Sequence, residues 1–132
     1  MNAFLITLDN RPGALADIAD AIAEKGINIA GVAGATEAST GTIAIVTNDE
    51  GGTRSALEGA GARFREVALA SAALDDKPGA LADAARKLAN AGVNIEAIFL
   101  TGMEGGKITI AFGVDNVEAA KSALGQLTSA GA

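Results

Sequence analysis

Apolar and polar residues alternate from Ala3 to Leu8, with Phe4, Ile6 and Leu8 on one face and Leu5 and Thr7 on the other, which predicts a strand. The period then changes. Leu15, Ile18, Ala19 and Ile22 recur at helical spacing, while Asp17, Asp20, Glu24 and Lys25 fall mostly on the opposite side, so an amphipathic helix is predicted from about Pro12 to Lys25. Pro12 suits the first turn, where a missing N–H costs nothing, and Gly26 suits the left-handed residue just past the last turn. Its N-cap is Asn10, Arg11 or Gly13. Residues 27–35 and 42–47 then read as a hairpin around a turn at 37–41, followed by a weaker helix over 52–60 and a strand over 62–67. The order β-α-β-β-α-β is the ferredoxin-like arrangement.

The same pattern then starts again. Residues 8–32 and 74–98 share 13 of 25 identities at a spacing of 66 positions, enough to establish an internal repeat whose unit is half the chain. The second unit is predicted to place strands at 68–74, 93–101 and 107–114 and helices at 78–91 and 116–127. Aligning Ile43 and Ile45 with Ile108 and Ile110 makes its hairpin one residue shorter, with Gly102, Gly105 and Gly106 at the turn. Only Thr128–Ala132 follow the last helix, so the sixth strand is expected to be short or missing and one sheet edge uncovered. No Gly or Pro lies between Ala62 and Leu74. The two lobes, residues 1–67 and 68–132, are therefore expected to be joined by strand and packed as one body, because units this small bury too little surface to stand alone.

Composition narrows the chemistry. The chain carries 49% hydrophobic and 20% charged residues, without a long apolar run or a basic leader, which is the profile of a soluble, cytoplasmic protein. With a net charge of −6 and no basic stripe, neither nucleic acid nor a membrane surface is an expected partner. His, Cys, Trp and Tyr are all absent, which removes the commonest general base and the soft metal ligands. No nucleophile and base pair is visible, so no catalytic residue, metal or cofactor is assigned. The acidic pairs Asp49-Glu50 and Asp75-Asp76 lack the further oxygen ligands that a divalent ion needs.

The doubled pattern, Asp9-Asn10-Arg11-Pro12-Gly13-Ala14-Leu15 with Gly26-Ile27-Asn28-Ile29, and Asp75-Asp76-Lys77-Pro78-Gly79-Ala80-Leu81 with Gly92-Val93-Asn94-Ile95, closely resembles the ACT domain. That family is a small regulatory module that binds amino acids. The first copy is similar to the version in serine-sensing dehydrogenases, whereas Asp76 replaces the Asn of that pattern in the second. Two units with no catalytic domain attached resemble the stand-alone double ACT proteins. The resemblance implies an α+β fold of two lobes, with antiparallel sheets and helices on one face. It also implies a non-catalytic regulator, a homodimer, and an enzyme regulated in trans.

Physical chemistry gives the motif a purpose. A helix N-terminus favours a carboxylate through its free N–H groups and dipole, Asp9, Asp75 or Asp76 can receive an ammonium, and the carboxamides of Asn10, Asn28 and Asn94 both donate and accept. The expectation is that the strand-to-helix and helix-to-strand turns lie together at one end of each lobe and hold a small amino acid. The resemblance implies that a neighbouring unit finishes such a site. Against this stands a structural role for the same Pro, Gly and Asn residues. The alternative function is an ACT-like docking or dimerisation module that binds no small molecule.

Overall fold

A computed structural model of the chain describes residues 1–127. Contacts divide it into two compact units, Asn2–Glu66 and the residues from Val67 onward together with Met1. The first contains β1 (Asn2–Asp9), α1 (Ala14–Ala23), β2 (Ile29–Glu37), β3 (Thr40–Thr47), α2 (Glu50–Gly59) and the opening of β4 (Arg63–Asp75). The second contains the remainder of β4, then α3 (Ala80–Asn90), β5 (Ile95–Glu104), β6 (Lys107–Val114), α4 (Val117–Leu124) and a short 3₁₀ turn, Gly125–Leu127. The boundary falls inside β4, a single strand of 13 residues.

Each unit is an antiparallel sheet with its own pair of helices, the α+β architecture that the pattern predicts. In the first, the strand order is β2-β3-β1, and in the second β4-β6-β5. β1 and β3 are in register at Phe4 with Ile45, Ile6 with Ile43 and Asp9 with Thr40. The repeat reproduces this as Ala70 with Phe112, Ala72 with Ile110 and Asp75 with Lys107. β2 and β5 are the outer strands.

That register corrects the hairpin alignment. Corresponding positions on β3 and β6 are 67 apart, so the second hairpin is one residue longer, and the extra residue, Thr101, sits in the irregularity between Leu100 and Gly102. The spacing of 65 differs from 67 by one full period of the strand. An alternation with period two cannot tell such alignments apart, because both keep the same residues facing inward. The expected absence of a full sixth strand concerns Thr128–Ala132, which lie outside the described residues; none of the described residues after α4 is a strand.

The core of each lobe is the stripe where helices meet sheet. Phe4, Ile6, Ile18, Ile22, Ile27, Ile45, Ala56 and Leu57 form the first, with Phe64 tilted against Phe4 at a ring separation of 6.0 Å. In the second, Leu74, Leu88, Ile110, Phe112 and Leu124 close over a floor of Ala70 and Ala72. Asp49 caps α2 by accepting from the Gly52 N–H at 2.9 Å, and Asn116 caps α4 by accepting from Ala119 at 3.1 Å. Beside α2, Glu66 accepts two bonds from Arg54, which hold its carboxyl below the usual range. No helix among the described residues is long and apolar enough to cross a membrane.

The second core rests heavily on one side chain. α3 buries only Ala84 and Leu88, and Leu88 is fully enclosed. Leu88→Ala removes the one large group by which α3 holds the sheet. The expected cost is about 2–5 kcal/mol, read as a lower midpoint in urea unfolding.

Candidate functional site

The turn between β1 and α1 is built by its backbone. Gly13 stands immediately before the helix with φ at 88°, in the left-handed region, and no side chain caps the helix start. Gly79 repeats this at α3 with φ at 90°. A side chain at such an angle costs roughly 1–2 kcal/mol, which is why glycine holds both positions. By contrast with α2 and α4, both capped by side chains, the starts of α1 and α3 have no side-chain cap, and the Ala14 and Ala80 N–H groups turn back to the Arg11 and Lys77 carbonyls. Of the three N-cap candidates, Gly13 is the one found.

A cavity of about 600 Å³ opens beside the first of these turns. Asp9, Asn10 and Arg11 form its rim, Leu8, Ala14 and Leu15 its inner wall, and the hairpin closes the other side with Val32, Gly34, Thr36, Gly41 and Ile43. A smaller cavity of about 280 Å³ shares Leu8, Asp9, Arg11 and Ala14 and extends toward Ala60–Arg63. Leu15 and Val32 are 49% and 55% exposed, a large apolar contribution to a surface groove.

The polar groups at the rim are not all free. Asn10 donates its Nδ2 to the Ala38 carbonyl at 2.9 Å and its backbone N–H to Ser39 at 2.9 Å, tying the turn to the tip of the hairpin. The carboxamide therefore holds one wall of the cavity in place. Arg11 bonds Asp17 Oδ2 and the Pro12 carbonyl, at 3.3 and 3.2 Å, in an exposed contact of the kind that contributes little stability. Asp9 is exposed, and among the described residues no cation pairs with it.

The geometry separates the motif into two halves. Asn28 and Ile29 follow α1, so the ten-residue helix, roughly 15 Å long at 1.5 Å per residue, stands between them and Gly13. The register agrees, since Asp9 lies beside Thr40 at one end of β3 and Ile29 beside Thr47 at the other. The two turns of one lobe thus do not converge, contrary to the expectation, because a strand, a helix and a second strand in succession reverse direction twice. Asn28 exchanges backbone bonds with Asn48, whose Oδ1 accepts from the Asn28 N–H at 3.1 Å. Ile29 packs on the first core.

In the second lobe Asp76, Lys77, Pro78, Gly79, Ala80 and Leu81 form the same turn, with the Asp76 N–H on the Gly106 carbonyl. Asn94 donates its backbone N–H to Asp115 at 2.9 Å, and Ile95 packs on the second core. Asp75 differs from Asp9. Lys107 lies 2.6 Å from its carboxylate and Lys77 3.9 Å, where the first lobe has Thr40 in place of Lys107. Their charges hold the Asp75 carboxyl below the usual range, first through the Lys107 hydrogen bond.

The sequence reading missed the hairpin wall of the cavity, Val32 to Ile43. A signal existed in the small residues Gly34 and Gly41 on the helix-facing side. The misplaced register concealed it, because a spacing of 65 sets Gly41 against Gly106. Among the described residues no group of three or more ligating side chains gathers to hold a metal.

Replacing Lys107 by Thr, the residue of the first lobe, is expected to move the Asp75 titration upward, toward the ordinary carboxylate range, in carboxyl-carbon NMR. A depressed folded value adds stability above the unfolded pKa that is lost as pH falls through the folded one, so this variant carries a smaller contribution at neutral pH and loses what remains at a higher pH on acidification.

The chain is similar in fold to the protein BT0572 from Bacteroides thetaiotaomicron, at 21% identity and a TM-score of 0.79 over 93% of this chain and 85% of that one. The ligand-free regulatory subunit of aspartate kinase from Thermus thermophilus is also similar, at 23% identity and a TM-score of 0.68 over 96% and 90%. The corresponding subunit from Thermus flavus gives 21% identity and 0.64 over the same shares. No curated protein sequence matches. The family model of the ACT domain matches twice, over residues 3–58 and 72–130, once for each lobe and together over most of the chain, which therefore belongs to the ACT domain family.

Proposed function

We propose that this chain is a non-catalytic cytoplasmic sensor that binds a small free amino acid in its first lobe and regulates an enzyme in trans. The observation that carries the reading is the start of α1, which no side chain caps, beside the Asp9 carboxylate, which no cation pairs among the described residues, both at the apolar cavity. The N–H groups of Gly13 and Leu15 suit a carboxylate, with the Ala14 N–H already on the Arg11 carbonyl, Asp9 suits an ammonium, and the Leu15 and Val32 wall an aliphatic side chain. Arg11 can leave Asp17 at little cost and add a second contact to the carboxylate.

Asn28 enters this site through a second copy of the chain. β2 is an outer strand, and antiparallel pairing of two β2 edges across a two-fold axis sets the start of one strand beside the end of the other. The exposed Val32 lies near the middle of β2, where such an axis would pass, and Asn28 of one copy reaches the Thr36 end of its mate. A ligand bound there stabilises the paired form, which the regulated enzyme reads. A docking role without a ligand is favoured by one observation, the exposure of Leu81, Ile98, Leu100 and Met103 on the second lobe. Binding of a ligand separates the two.

A thermal-shift screen against the twenty common amino acids tests the reading. At a hundredfold excess over Kd the ligand adds roughly 2.7 kcal/mol and raises Tm by several degrees. Asp9→Asn and Asn28→Ala are each expected to weaken the response while leaving the unliganded Tm nearly unchanged, since both side chains are exposed. Silence across the whole set would sink the sensor reading in favour of docking.

A further inference from the structure

The two lobes share a motif but not a cavity wall. At strictly corresponding places of the two hairpins, on the helix-facing side, Gly34 is replaced by Leu100, Gly41 by Ile108 and Thr36 by Met103. Each change sets a larger apolar side chain where the first lobe keeps its groove open. The residues beneath respond accordingly. Leu8 and Ile43, which line the first cavity, are half-buried, whereas their counterparts Leu74 and Ile110 are 2% and 7% exposed. The ionic side changes too, because Lys107 occupies the Asp75 carboxylate that would meet an ammonium.

We infer that the chain takes one amino acid per copy, in the first lobe alone, and that Gly34 and Leu100 decide which lobe binds. This rests on the sensor reading above and adds the stoichiometry of its site. The second lobe keeps the turn, the left-handed glycine and the uncapped helix as parts of its fold, while Leu100 and Ile108 fill the space a ligand side chain would enter. Room at Gly34 is already tight, since a Cβ there runs into Ile43 Cδ1, so a leucine displaces that side chain into the groove.

The test is amide NMR of the full chain with an equimolar mixture of the twenty common amino acids as the probe. In the natural protein, shifts are expected within residues 8–15 and 32–43 and not within 74–81 or 98–110. Gly34→Leu is expected to abolish them with the dispersion of a folded protein retained. Leu100→Gly combined with Lys107→Thr, both at exposed positions that unfolding of the first variant does not affect, is expected to add a second set within 74–81 and 98–110. Shifts in both lobes of the natural protein overturn the inference and leave the sensor reading standing. A protein with Leu100→Gly and Lys107→Thr that gains no shifts removes Leu100 as the deciding residue, and a natural protein with no shift in either lobe overturns the sensor reading and this inference together.

Discussion

Each lobe depends on burying one stripe of two helices against one face of an antiparallel sheet, and the rest of its geometry follows from that. A helix that crosses back over the sheet between β1 and β2 must return the chain to the starting end, so the turn that opens α1 and the turn that closes it are held apart by the length of the helix. Asp9 to Leu15 and Asn28 to Ile29 are neighbours in the motif and strangers in the lobe. A pattern that looks like one site is divided between the two ends of the lobe.

The lobes were largely legible from periodicity because local and global preferences agree. Ile18 and Ile22 mark the buried face of α1, and Gly26 adopts the left-handed turn, with φ at 70°, that its place past the helix implies. Asp49 beside Glu50 signals a helix start, and its carboxylate caps α2. The hairpin register was not legible, because alternation repeats every two residues and is blind to a shift of two. The cavity was hidden for the same reason. It is defined by what is missing from the hairpin at Gly34 and Gly41, and an absence is visible only once the correct partners are set side by side.

Asn10 shows how a side chain read as a ligand contact is shared with the framework. Its carboxamide N–H reaches the hairpin tip at Ala38, where φ is 54°, an unusual conformation for alanine that the tethered turn sustains. Asp76 in the second lobe cannot donate such a bond from its carboxylate, and the turn there is made by Gly105 and Gly106, which adopt positive φ and are tied to Asp76 through its backbone N–H. Side chain and loop have changed together, so the Asn-to-Asp difference tracks hairpin construction.

The outer strand β5 has a further consequence, for the chain before it is folded. Ala97-Ile98-Phe99-Leu100-Thr101 is an uncharged run, rich in β-forming residues, on a strand with one edge unpaired among the described residues. Such segments recruit copies of themselves when exposed, and the usual restraint is charge at their borders. Glu96 and Glu104 stand at those borders. Charge at those borders disfavours such pairing, and a net charge of −6 adds repulsion between copies.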